Sequence, residues 1–423
     1  MNLIKELEWR GMIQDIIPGT EEQLAKEITT GYIGFDPTAD SLHIGSLVPI
    51  ILLVHLQKCG HKPIALVGGA TGMIGDPSGK SEERNLLDDA VLLHNQQGIR
   101  KQLEKFLDFN SVKNAAEMVN NADWFRDMNF LQFIRDIGKH ITVNYMMSKD
   151  SVKKRLEGDS GMSFTEFTYQ LIQGYDFYWL YKNKGCKLQM GGSDQWGNIV
   201  TGSEIVRKKT RGEVFAFTCP LIRKSDGGKF GKTETGNIWL DADKTSPYQF
   251  YQFWLNASDA DAEMWIKIFT FLNRGTIETL IAQHKEEPSK RLLQKKLAGE
   301  ITQWVHGQEN LQIAIDTSQK LFENLQAPAS DLSEDDLQNI EGIVTSAFSM
   351  EEFMNTDLAS VLVQAGIFPS KGDAKKMVAN GGLSINRNKV RDLQARTEKS
   401  MLLHGRYVLI QKGKKNYYLL NIG

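Results

Sequence analysis

The first half of the chain alternates short apolar runs with longer helical stretches. Residues 28–35 (ITTGYIGF) and 63–69 (PIALVGG) have the composition of strands and end in glycine or next to a turn, which predicts two strands. Between them, residues 43–60 predict a helix that ends at Gly60. A strand, a helix and a second strand in this order predict a parallel α/β sheet, whose ligands bind beyond the carboxyl ends of the strands.

Later segments extend this pattern and then change it. Residues 163–180 predict a helix, and residues 187–198 predict a strand that runs into a glycine-rich turn. After residue 240 the chain predicts helices, one of them capped by Ser246 and begun by Pro247. The predicted order is an α/β domain with a mostly helical insertion, a helical domain, an acidic linker and a small α+β domain, at residues 1–222 (insertion about 86–145), 223–324, 325–352 and 353–423.

Composition and charge narrow the class of protein. The 423 residues are 41% hydrophobic and 24% charged with a net charge of −2, which indicates an ordinary globular chain without a global charge that favours RNA. Three widely spaced cysteines predict reduced thiols in the cytoplasm and no metal site. The charged N-terminus and the lack of a long apolar run predict neither a signal peptide nor a membrane-spanning helix.

The segment 34–47 (GFDPTADSLHIGSL) leaves a strand, turns and begins a helix. Gly34 permits close approach to the backbone, and Asp40 or Ser41 is expected to cap the helix. His43 would then lie in the first turn, where free N–H groups attract phosphate and the imidazole can donate to a phosphate oxygen. A plain capped turn with an incidental histidine explains the same residues.

A second glycine-rich segment, residues 224–236 (KSDGGKFGKTETG), carries three lysines. Mobile lysines suit a reaction in which charge builds on a pyrophosphate leaving group, because a loop can close on the transition state. A solvated surface loop is the alternative interpretation. Residues 68–84 also contain a Gly-Lys pair, but Ile74 stands where a P-loop needs glycine, which excludes that motif.

Tyr169, Gln173 and Asp176 are spaced so that a helix presents all three on one face. A buried phenol both donates and accepts a hydrogen bond, and Asp176 together with the hydroxyl of Tyr32 can supply the two partners. The four residues therefore suit a tyrosine ligand. A half-exposed packing face would produce the same spacing.

The C-terminal segment concentrates positive charge in a chain that is near neutral as a whole. Two short helices, a Gly-Gly break and a strand carry a basic cluster within residues 371–389. Such clustering suits contacts with phosphate, and the scarcity of aromatic residues favours recognition of backbone and shape. A solvated basic face is the alternative. The cluster consists of Lys371, Lys375, Lys376, Arg387 and Lys389.

The two glycine-rich segments resemble the signatures of class I aminoacyl-tRNA synthetases, in the form typical of bacterial tyrosyl-tRNA synthetases. Residues 34–45 are similar to the HIGH signature, with Ser46 in place of its final histidine, and residues 229–233 (KFGKT) are similar to the KMSKS loop. The resemblance covers essentially the whole chain and implies a Rossmann-like catalytic domain followed by a helical anticodon-side domain. It also implies ATP contacts from Gly34, Asp36, Thr38, His43, Ser46, Gly192, Asp194, Gln195 and Lys232.

The same resemblance assigns roles in catalysis and tyrosine binding. Tyr169 and Gln173 would bind the amino group of tyrosine, and Asp176 with Tyr32 its phenol. Asp76 would lie near the amino acid and Gln195 near the reacting carboxyl group. Catalysis would depend on His43, Lys80, Arg84, Lys229, Lys232 and Thr233. An S4-like RNA-binding domain, in which the basic cluster binds tRNA, is implied by Leu362, Gly366, Ser370, Ala374, Gly381 and Ile385.

The implied activity has two steps. The carboxylate of L-tyrosine attacks the α-phosphate of ATP, which enters with Mg²⁺, and the 3′-terminal ribose of tRNA(Tyr) then takes the tyrosyl group. A homodimer with the insertion near residues 100–145 at its interface is also implied, without a protein-ligated metal. One alternative is a tryptophanyl enzyme, which Asp176 and Tyr32 disfavour because an indole only donates. The other is a non-catalytic RNA-binding protein on the same scaffold. The segment with three lysines at residues 224–236, called the lysine loop below, argues against it.

Overall fold

The computed structural model describes residues 2–78, 87–157, 161–233, 236–322, 328–334, 337, 343–413 and 416–423, without the side chains of residues 232–233 and 320–322. Contacts divide the chain into two compact units. The first unit consists of Met1–Asp241 with Ser258–Leu293, and the second of Ala242–Ala257 with Gln294–Gly423. Residues 258–293, which the sequence pattern assigns to the helical domain, thus cluster with the α/β unit.

The described part of the first unit contains a five-stranded parallel sheet in the order β3-β2-β1-β4-β5. The predicted parallel α/β fold is confirmed. The strand order reverses between β1 and β4, and ligands of open parallel sheets bind at such a point. The strands are β1 (Thr30–Phe35), β2 (Lys62–Val67), β3 (Glu117–Asn120), β4 (Cys186–Gly192) and β5 (Phe215–Cys219), and a small ladder joins β6 (Lys232–Thr233) to β7 (Gly236–Asn237).

The edge strand β3 lies inside the insertion that the sequence predicts as mostly helical. Its four residues are all half-buried and include a glutamate and an asparagine, so they show no apolar alternation. The parallel register with β2, from Ile64 opposite Glu117 to Val67 opposite Asn120, decides the conformation instead. The insertion is mostly helical in its described residues, and β3 is the strand that the pattern does not indicate.

Helices cover the sheet and extend the first unit. The helix at residues 47–58 is apolar on all sides and almost wholly buried, because sheet and helices surround it. The helix at residues 164–184 is capped by the Ser163 hydroxyl and ends at Gly185 in the left-handed conformation. The helices are α1 (Leu3–Trp9), α2 (Thr20–Lys26), α3 (Leu47–Lys58), α4 (Asp89–Leu103), α5 (Ala122–Phe125), α6 (Phe130–Asp136), α7 (Val143–Met147), α8 (Asp150–Leu156), α9 (Phe164–Lys184) and α10 (Trp196–Thr210). None of the helices described for this chain combines the length and apolar character needed to cross a bilayer.

The second unit combines helices with a separate five-stranded sheet. Ser246 caps the helix α11 (Pro247–Leu255) by accepting the N–H of Gln249 at 3.3 Å, which confirms that prediction. The helices α12 (Asp259–Phe269) and α13 (Arg274–Glu286) follow in the chain but belong to the first unit. The remaining helices are α14 (Leu292–His306), α15 (Gln308–Phe322), α16 (Met350–Phe353), α17 (Leu358–Gln364) and α18 (Lys371–Ala379).

The C-terminal sheet has the order β10-β9-β11-β12-β8 and packs over a buried apolar cluster that includes Val361, Leu362 and Ile410. Its first strand, Val344–Phe348, lies within the range predicted as a linker and pairs in parallel with the last strand. Short, half-exposed strands of this kind carry a weak sequence signal. The strands are β8 (Val344–Phe348), β9 (Leu383–Ile385), β10 (Asn388–Lys389), β11 (Tyr407–Lys412) and β12 (Asn416–Ile422).

Candidate active site

A cavity of about 740 Å³ opens at the carboxyl ends of β1 and β4, where the strand order reverses. Its size lies within the range of about 300–1,000 Å³ that is usual for small-molecule sites. It brings together many residues that the sequence singles out at distant positions of the chain. These are Tyr32, Gly34, Asp36, Thr38, His43, Ser46, Asp76, Tyr169, Gln173, Asp176, Gly192, Asp194, Gln195 and Lys229.

Some predicted site residues cannot be placed in the cavity. Lys80 and Arg84 lie outside the described residues, and so do the side chains of Lys232 and Thr233. The backbone of Lys232 and Thr233 forms β6, which follows Lys229 closely in the chain. Their predicted catalytic roles therefore stay predictions.

The floor of the cavity is formed by one face of β1. Side chains alternate along a strand, so Tyr32 and Gly34 point to the same side of the sheet, and Asp36 follows on that side just beyond β1. Tyr32 is 1% exposed, whereas Gly34 is exposed to the cavity between two buried neighbours. The bare backbone at Gly34 separates two polar ends of the cavity, which leaves room for an apolar ring between polar groups.

Asp176 and Tyr32 form the deep polar end. The Asp176 carboxylate is 2% exposed and accepts hydrogen bonds from Asn121 Nδ2 at 3.0 Å and Trp124 Nε1 at 2.9 Å. The Tyr32 hydroxyl is buried and has no hydrogen-bond partner among the described residues. An unpaired buried hydroxyl costs about 1–3 kcal/mol, so this end of the cavity is prepared for a polar ligand group.

Burial changes the protonation of both groups. Removal from water raises the pKa of Asp176 to about 8, with a further contribution from the charge of Asp36. It also raises the pKa of Tyr32 well above the usual value, and the charge of Asp176 adds to the effect. At neutral pH the Tyr32 hydroxyl therefore stays a hydrogen-bond donor.

The second polar end lies around Asp36. The Tyr169 hydroxyl donates to Asp36 Oδ2 at 2.8 Å, and the Thr71 hydroxyl donates to Asp36 Oδ1 at 2.7 Å. Burial, with the charge of Asp36, raises the pKa of Tyr169 well above its usual value, so this hydroxyl also remains a donor. The arrangement orients Tyr169 from the α9 side and Asp36 from the β1 side toward one point of the cavity.

Asp76, Gln173 and Gln195 extend this end as a connected polar network. Gln195 Nε2 donates to Asp76 Oδ2 at 2.6 Å, and the amide of Ser78 donates to Asp76 Oδ1 at 2.9 Å. Asn198 Nδ2 donates to Gln173 Oε1 at 3.0 Å. A carboxylate, a carboxamide and a tyrosine hydroxyl around one space are suitable partners for an ammonium group.

Gly192 and Asp194 lie where β4 gives way to α10. Asp194 approaches the backbone so closely that a Cβ at Gly192 would lie 2.5 Å from its Oδ1 atom. A larger residue at position 192 would therefore displace the Asp194 carboxylate. Burial raises the pKa of Asp194, and the nearby charge of Asp76 adds to it. Together they form a carboxylate beside bare backbone, which suits the hydroxyl groups of a ribose.

His43 caps the turn that precedes α3, and neither Asp40 nor Ser41 does, contrary to the expectation from sequence. The His43 Nδ1 atom accepts the N–H of Gly45 at 3.0 Å at the start of a 3₁₀ turn, Ile44–Ser46. The helix begins later than the motif suggests. Ser41 instead donates to the carbonyl of its neighbour Leu42 at 2.9 Å.

This cap fixes the proton of a neutral imidazole. Because Nδ1 of His43 accepts a hydrogen bond, the neutral ring carries its proton on Nε2. The side chain is exposed and lines the cavity. His43 thus lines the cavity as the cap of a turn and not from within the helix, and its predicted role as a donor to phosphate stays a prediction.

The lysine loop forms a compact turn beside the same mouth. The amide of Lys224 donates to the carbonyl of Gly228 at 3.0 Å, and the backbones of Arg223 and Lys229 pair across the turn. Lys229 is exposed and lines the cavity. The loop thus brings one lysine to the side of the cavity where His43 lies.

The basic cluster of the second unit lies on a helix and a hairpin. Lys371, Lys375 and Lys376 are exposed on α18, and Lys389 is exposed on β10. Arg387 occupies the tight turn between β9 and β10 with a φ of 66°. Lys371 also pairs with Asp357 at 3.2 Å. The cluster therefore lies on a helix and a hairpin of the same unit.

Residues in and behind the cavity wall include three that the sequence pattern does not indicate. Asn121 and Trp124 hold Asp176 from the segment after β3, more than fifty positions earlier in the chain. A correct prediction of β3 would have indicated Asn121, because polar residues just beyond strand ends tend to reach the ligand. Gln189 on β4 lies beside Tyr32, lines the cavity and is 3% exposed, and its Oε1 has no partner in the described part of the chain.

Comparisons with known proteins agree with this geometry. A family model described as tRNA synthetases class I (W and Y) matches residues 25–323, and one described as the tyrosine–tRNA ligase SYY-like C-terminal domain matches residues 338–420. Curated tyrosine–tRNA ligases include one of Bacteroides thetaiotaomicron, 58% identical over 99% of both chains, and one of Flavobacterium johnsoniae, 57% identical over 100% of this chain and 99% of the other.

A solved structure gives the same assignment. The C-terminally truncated mitochondrial tyrosyl-tRNA synthetase of Aspergillus nidulans superposes with a TM-score of 0.69 at 32% identity, covering 76% of this chain and 94% of the other. Identity of this level over most of both chains indicates common ancestry. The curated relatives extend the similarity to the C-terminal part of the chain. The chain belongs to the class I aminoacyl-tRNA synthetases and, within them, to the tyrosine–tRNA ligase family.

Proposed function

We propose that the chain activates L-tyrosine with ATP to tyrosyl-adenylate and pyrophosphate, and then transfers tyrosine to the 3′ end of tRNA(Tyr). The pair of Tyr32 and Asp176 carries the choice of amino acid. Asp176 accepts the phenolic proton or shares its own, and the Tyr32 hydroxyl, which has no partner among the described residues, donates to the phenolic oxygen. Because Gly34 has no side chain, the aromatic ring of tyrosine is proposed to lie against its backbone, between the two polar ends of the cavity.

The other end of the cavity binds the α-amino and carboxyl groups. In this proposal Tyr169, Gln173 and Asp76 surround the ammonium group, and Gln195 lies beside the reacting carboxylate. Hydrogen bonds hold these side chains in place before the substrate arrives, because Tyr169 donates to Asp36 and Gln195 donates to Asp76. Gln173 accepts a hydrogen bond from Asn198. Activation then needs no nucleophile from the protein, because two substrates held in line react with most of the entropic barrier removed.

ATP is proposed to lie across the mouth of the cavity with its ribose at Gly192 and Asp194 and its phosphates toward His43. Gly34, Asp36, Thr38 and Ser46 complete the lining on the β1 side. The Nε2–H group of His43 and the ammonium of Lys229 stabilise the charge that builds on the phosphates as pyrophosphate leaves. Lys80, Arg84, Lys232 and Thr233 are proposed as further catalytic groups on the strength of the motif resemblance.

Magnesium is proposed to enter as part of the substrate, bound to the phosphates of ATP. In the described residues, no group of three or more histidine, cysteine, aspartate or glutamate side chains could hold a metal ion. Mg²⁺ keeps much of its water and commonly binds through substrate phosphates, which fits a site of this composition. The protein then has to position the phosphates and not the ion.

The C-terminal part of the second unit, residues 353–423 together with β8, is proposed to bind tRNA(Tyr) as an S4-like domain. A helical anticodon-side domain at 223–324 and a linker that begins at 325 are proposed to precede it. The exposed lysines of α18 and the hairpin with Arg387 and Lys389 offer charge to the phosphate backbone. The reduced cysteines, two of them buried, are consistent with the cytoplasm as the compartment.

The assignment predicts amino-acid-dependent exchange between ATP and pyrophosphate. We expect tyrosine to stimulate exchange, and tryptophan or phenylalanine to do so only weakly, because either would leave Tyr32 or Asp176 without its partner. Measuring exchange of labelled pyrophosphate with each amino acid in turn checks this. Stimulation by tryptophan alone would contradict the choice of tyrosine, and the absence of exchange would favour an RNA-binding protein without catalysis.

A homodimer is proposed through the insertion near residues 100–145. The helices α6 and α7 within or next to this range carry large apolar side chains that are 42–77% exposed. Monomeric proteins rarely expose apolar surface of this kind in quantity, so a second copy of the chain is the proposed cover. The exposed residues are Phe130, Leu131, Ile134, Val143 and Met147.

A charge on α6 is predicted to separate the subunits. Leu131→Asp places a carboxylate on the proposed interface, where burial without a partner costs several kcal/mol. Light scattering of the eluting protein should change from the mass of two chains to that of one. Ile28→Asp is the matched control, because Ile28 is also an exposed apolar residue, at 64%, but lies outside the insertion. A Leu131→Asp protein that remains a dimer would exclude this interface.

A further inference from the structure

The lysine loop is attached to the face of one helix, α12, which lies far along the chain. Asp261, Trp265 and Phe269 are spaced by four residues and therefore share that face. All three are buried, with exposures of 5%, 2% and 1%. The loop contacts this face at two places, one polar and one aromatic.

The polar attachment lies at the beginning of the loop. The amide of Ser225 donates to Asp261 Oδ1 at 2.7 Å. The other oxygen of Asp261 accepts the hydroxyl of Ser258 at 2.8 Å, so the carboxylate is held in place from its own helix. A hydrogen bond from a backbone amide to a buried carboxylate is of the stronger, charge-assisted kind.

The aromatic attachment is Phe230, the residue directly after Lys229. Its ring stacks on Phe269, with centroids 5.1 Å apart and planes inclined by 16°, and meets Trp265 edge-on at 5.1 Å. Both distances and angles are those of favourable aromatic pairs. A half-buried ring in a loop of glycines and lysines is thus packed between two buried rings of α12.

The next residue is held from the opposite direction. Gly231 is buried with a φ of 82°, and a Cβ at this position would lie 3.1 Å from Ile44 Cγ1. The loop therefore packs directly on the turn that His43 caps. Lys229 is therefore followed by Phe230, which packs on α12, and by Gly231, which packs on the turn capped by His43. The backbone of Lys229 can move little unless the ring of Phe230 leaves α12.

The helix end that receives Phe230 is itself fixed to the α/β unit. Arg10 is 3% exposed and donates to the carbonyl groups of Thr270 at 2.7 Å and Leu272 at 2.8 Å, just beyond α12. The same guanidinium binds the carbonyl of Lys267 within the last turn. These bonds satisfy carbonyl groups that a helix end leaves without partners. The support for the loop is therefore a rigid one.

We propose that Phe230 is a positioning residue for Lys229: its ring, held between Trp265 and Phe269, sets the place from which the Lys229 ammonium reaches the phosphates of ATP. The inference rests on the role proposed above for Lys229. Phe230 acts through the backbone of its neighbour and is required for the activation step, whereas the binding of tyrosine alone does not depend on it.

The test compares Phe230→Ala with Phe230→Met in the full-length enzyme. Single-turnover formation of tyrosyl-adenylate at saturating MgATP is expected to slow by about 10- to 100-fold in Phe230→Ala, because a displacement of about 1 Å can cost on the order of 10²-fold. Phe230→Met should retain most of the rate, since a thioether also packs well on aromatic rings. The Kd of tyrosine without ATP should stay unchanged in both variants.

Phe271→Ala is the matched control. Phe271 is a half-buried ring just after α12 that contacts His55 and Lys58. Its removal should leave adenylate formation unchanged. A Phe230→Ala enzyme with the normal rate would overturn the inference. So would an equal loss in Phe271→Ala, or a parallel loss of tyrosine affinity, because either result would indicate general damage.

Lys229→Ala separates this inference from the proposal on which it rests. If Lys229→Ala slows activation and Phe230→Ala does not, the positioning role of Phe230 is wrong and the role of the lysine stands. If Lys229→Ala has the normal rate, the proposed role of the lysine fails, and the inference fails with it even if Phe230→Ala is slow.

Discussion

Replacing Asp176 by alanine is expected to remove most of the discrimination between tyrosine and phenylalanine. The phenolic hydroxyl loses the carboxyl group, and a hydrogen bond to a charged group contributes about 1.5–3 kcal/mol, which is about 10- to 150-fold in relative kcat/KM. Tyrosyl-tRNA synthetases are themselves the known example of such rejection without editing, at about 10⁵-fold, so that larger magnitude belongs to the family and is not a result of this geometry.

The loss should affect tyrosine and spare ATP. Asp176 lies at the deep end of the cavity, while the proposed ATP contacts lie at the mouth, so KM for ATP should change little. The measurement is kcat/KM for tyrosine and for phenylalanine in pyrophosphate exchange, with KM for ATP determined alongside. Unchanged discrimination in the variant would refute the role assigned to Asp176.

Tyr32→Phe is the companion variant, because Asp176→Ala leaves the donors of Asn121 and Trp124 without a partner and so weakens the fold as well. Tyr32→Phe removes a hydroxyl that has no partner among the described residues and should keep the fold intact. Its loss of discrimination should have the same direction and be smaller, about 2- to 12-fold, as for a bond between neutral groups. A defect in both variants cannot be attributed to unfolding alone.

The sequence predicts the main strands and the helix that form this site, but it does not predict the edge strands or the residues that hold the site residues in place. The strands β1, β2 and β4 and the helix α9 follow from apolar runs and caps, because burial on both faces of a parallel sheet leaves a clear hydrophobic signal. The strand β3 does not, since its half-buried edge position tolerates polar side chains. The strand β8 is missed for the same reason.

The same limit applies to individual residues of the cavity. Tyr169, Gln173 and Asp176 are predictable because a single helix presents them. Asn121 and Trp124 act on Asp176 only through the packing of a segment more than fifty positions away, and no spacing in the chain records that contact. Phe230 is a similar case, because its partners lie on α12. Such supports become visible only once the chain is folded.

The two ring nitrogens of His43 have different roles, one structural and one proposed to be catalytic, and substitutions can test them separately. Its Nδ1 atom caps the turn by accepting the N–H of Gly45, while its Nε2–H group is the proposed donor to phosphate. Asparagine is a good cap and lacks any atom at the position of Nε2. Alanine lacks both. Both variants remove the donor and the ring contact with Trp239, whereas only His43→Ala also removes the cap.

Both variants are expected to slow tyrosyl-adenylate formation by about 10²- to 10³-fold, the usual cost of removing one oriented donor to developing charge. His43→Ala should be less stable than His43→Asn by about 1 kcal/mol in the free energy of unfolding, because only the alanine variant loses the cap. Single-turnover kinetics and denaturant unfolding measure the two effects. A His43→Asn enzyme with the normal rate would show that the cap is the whole function of His43 and that the phosphates depend on other donors.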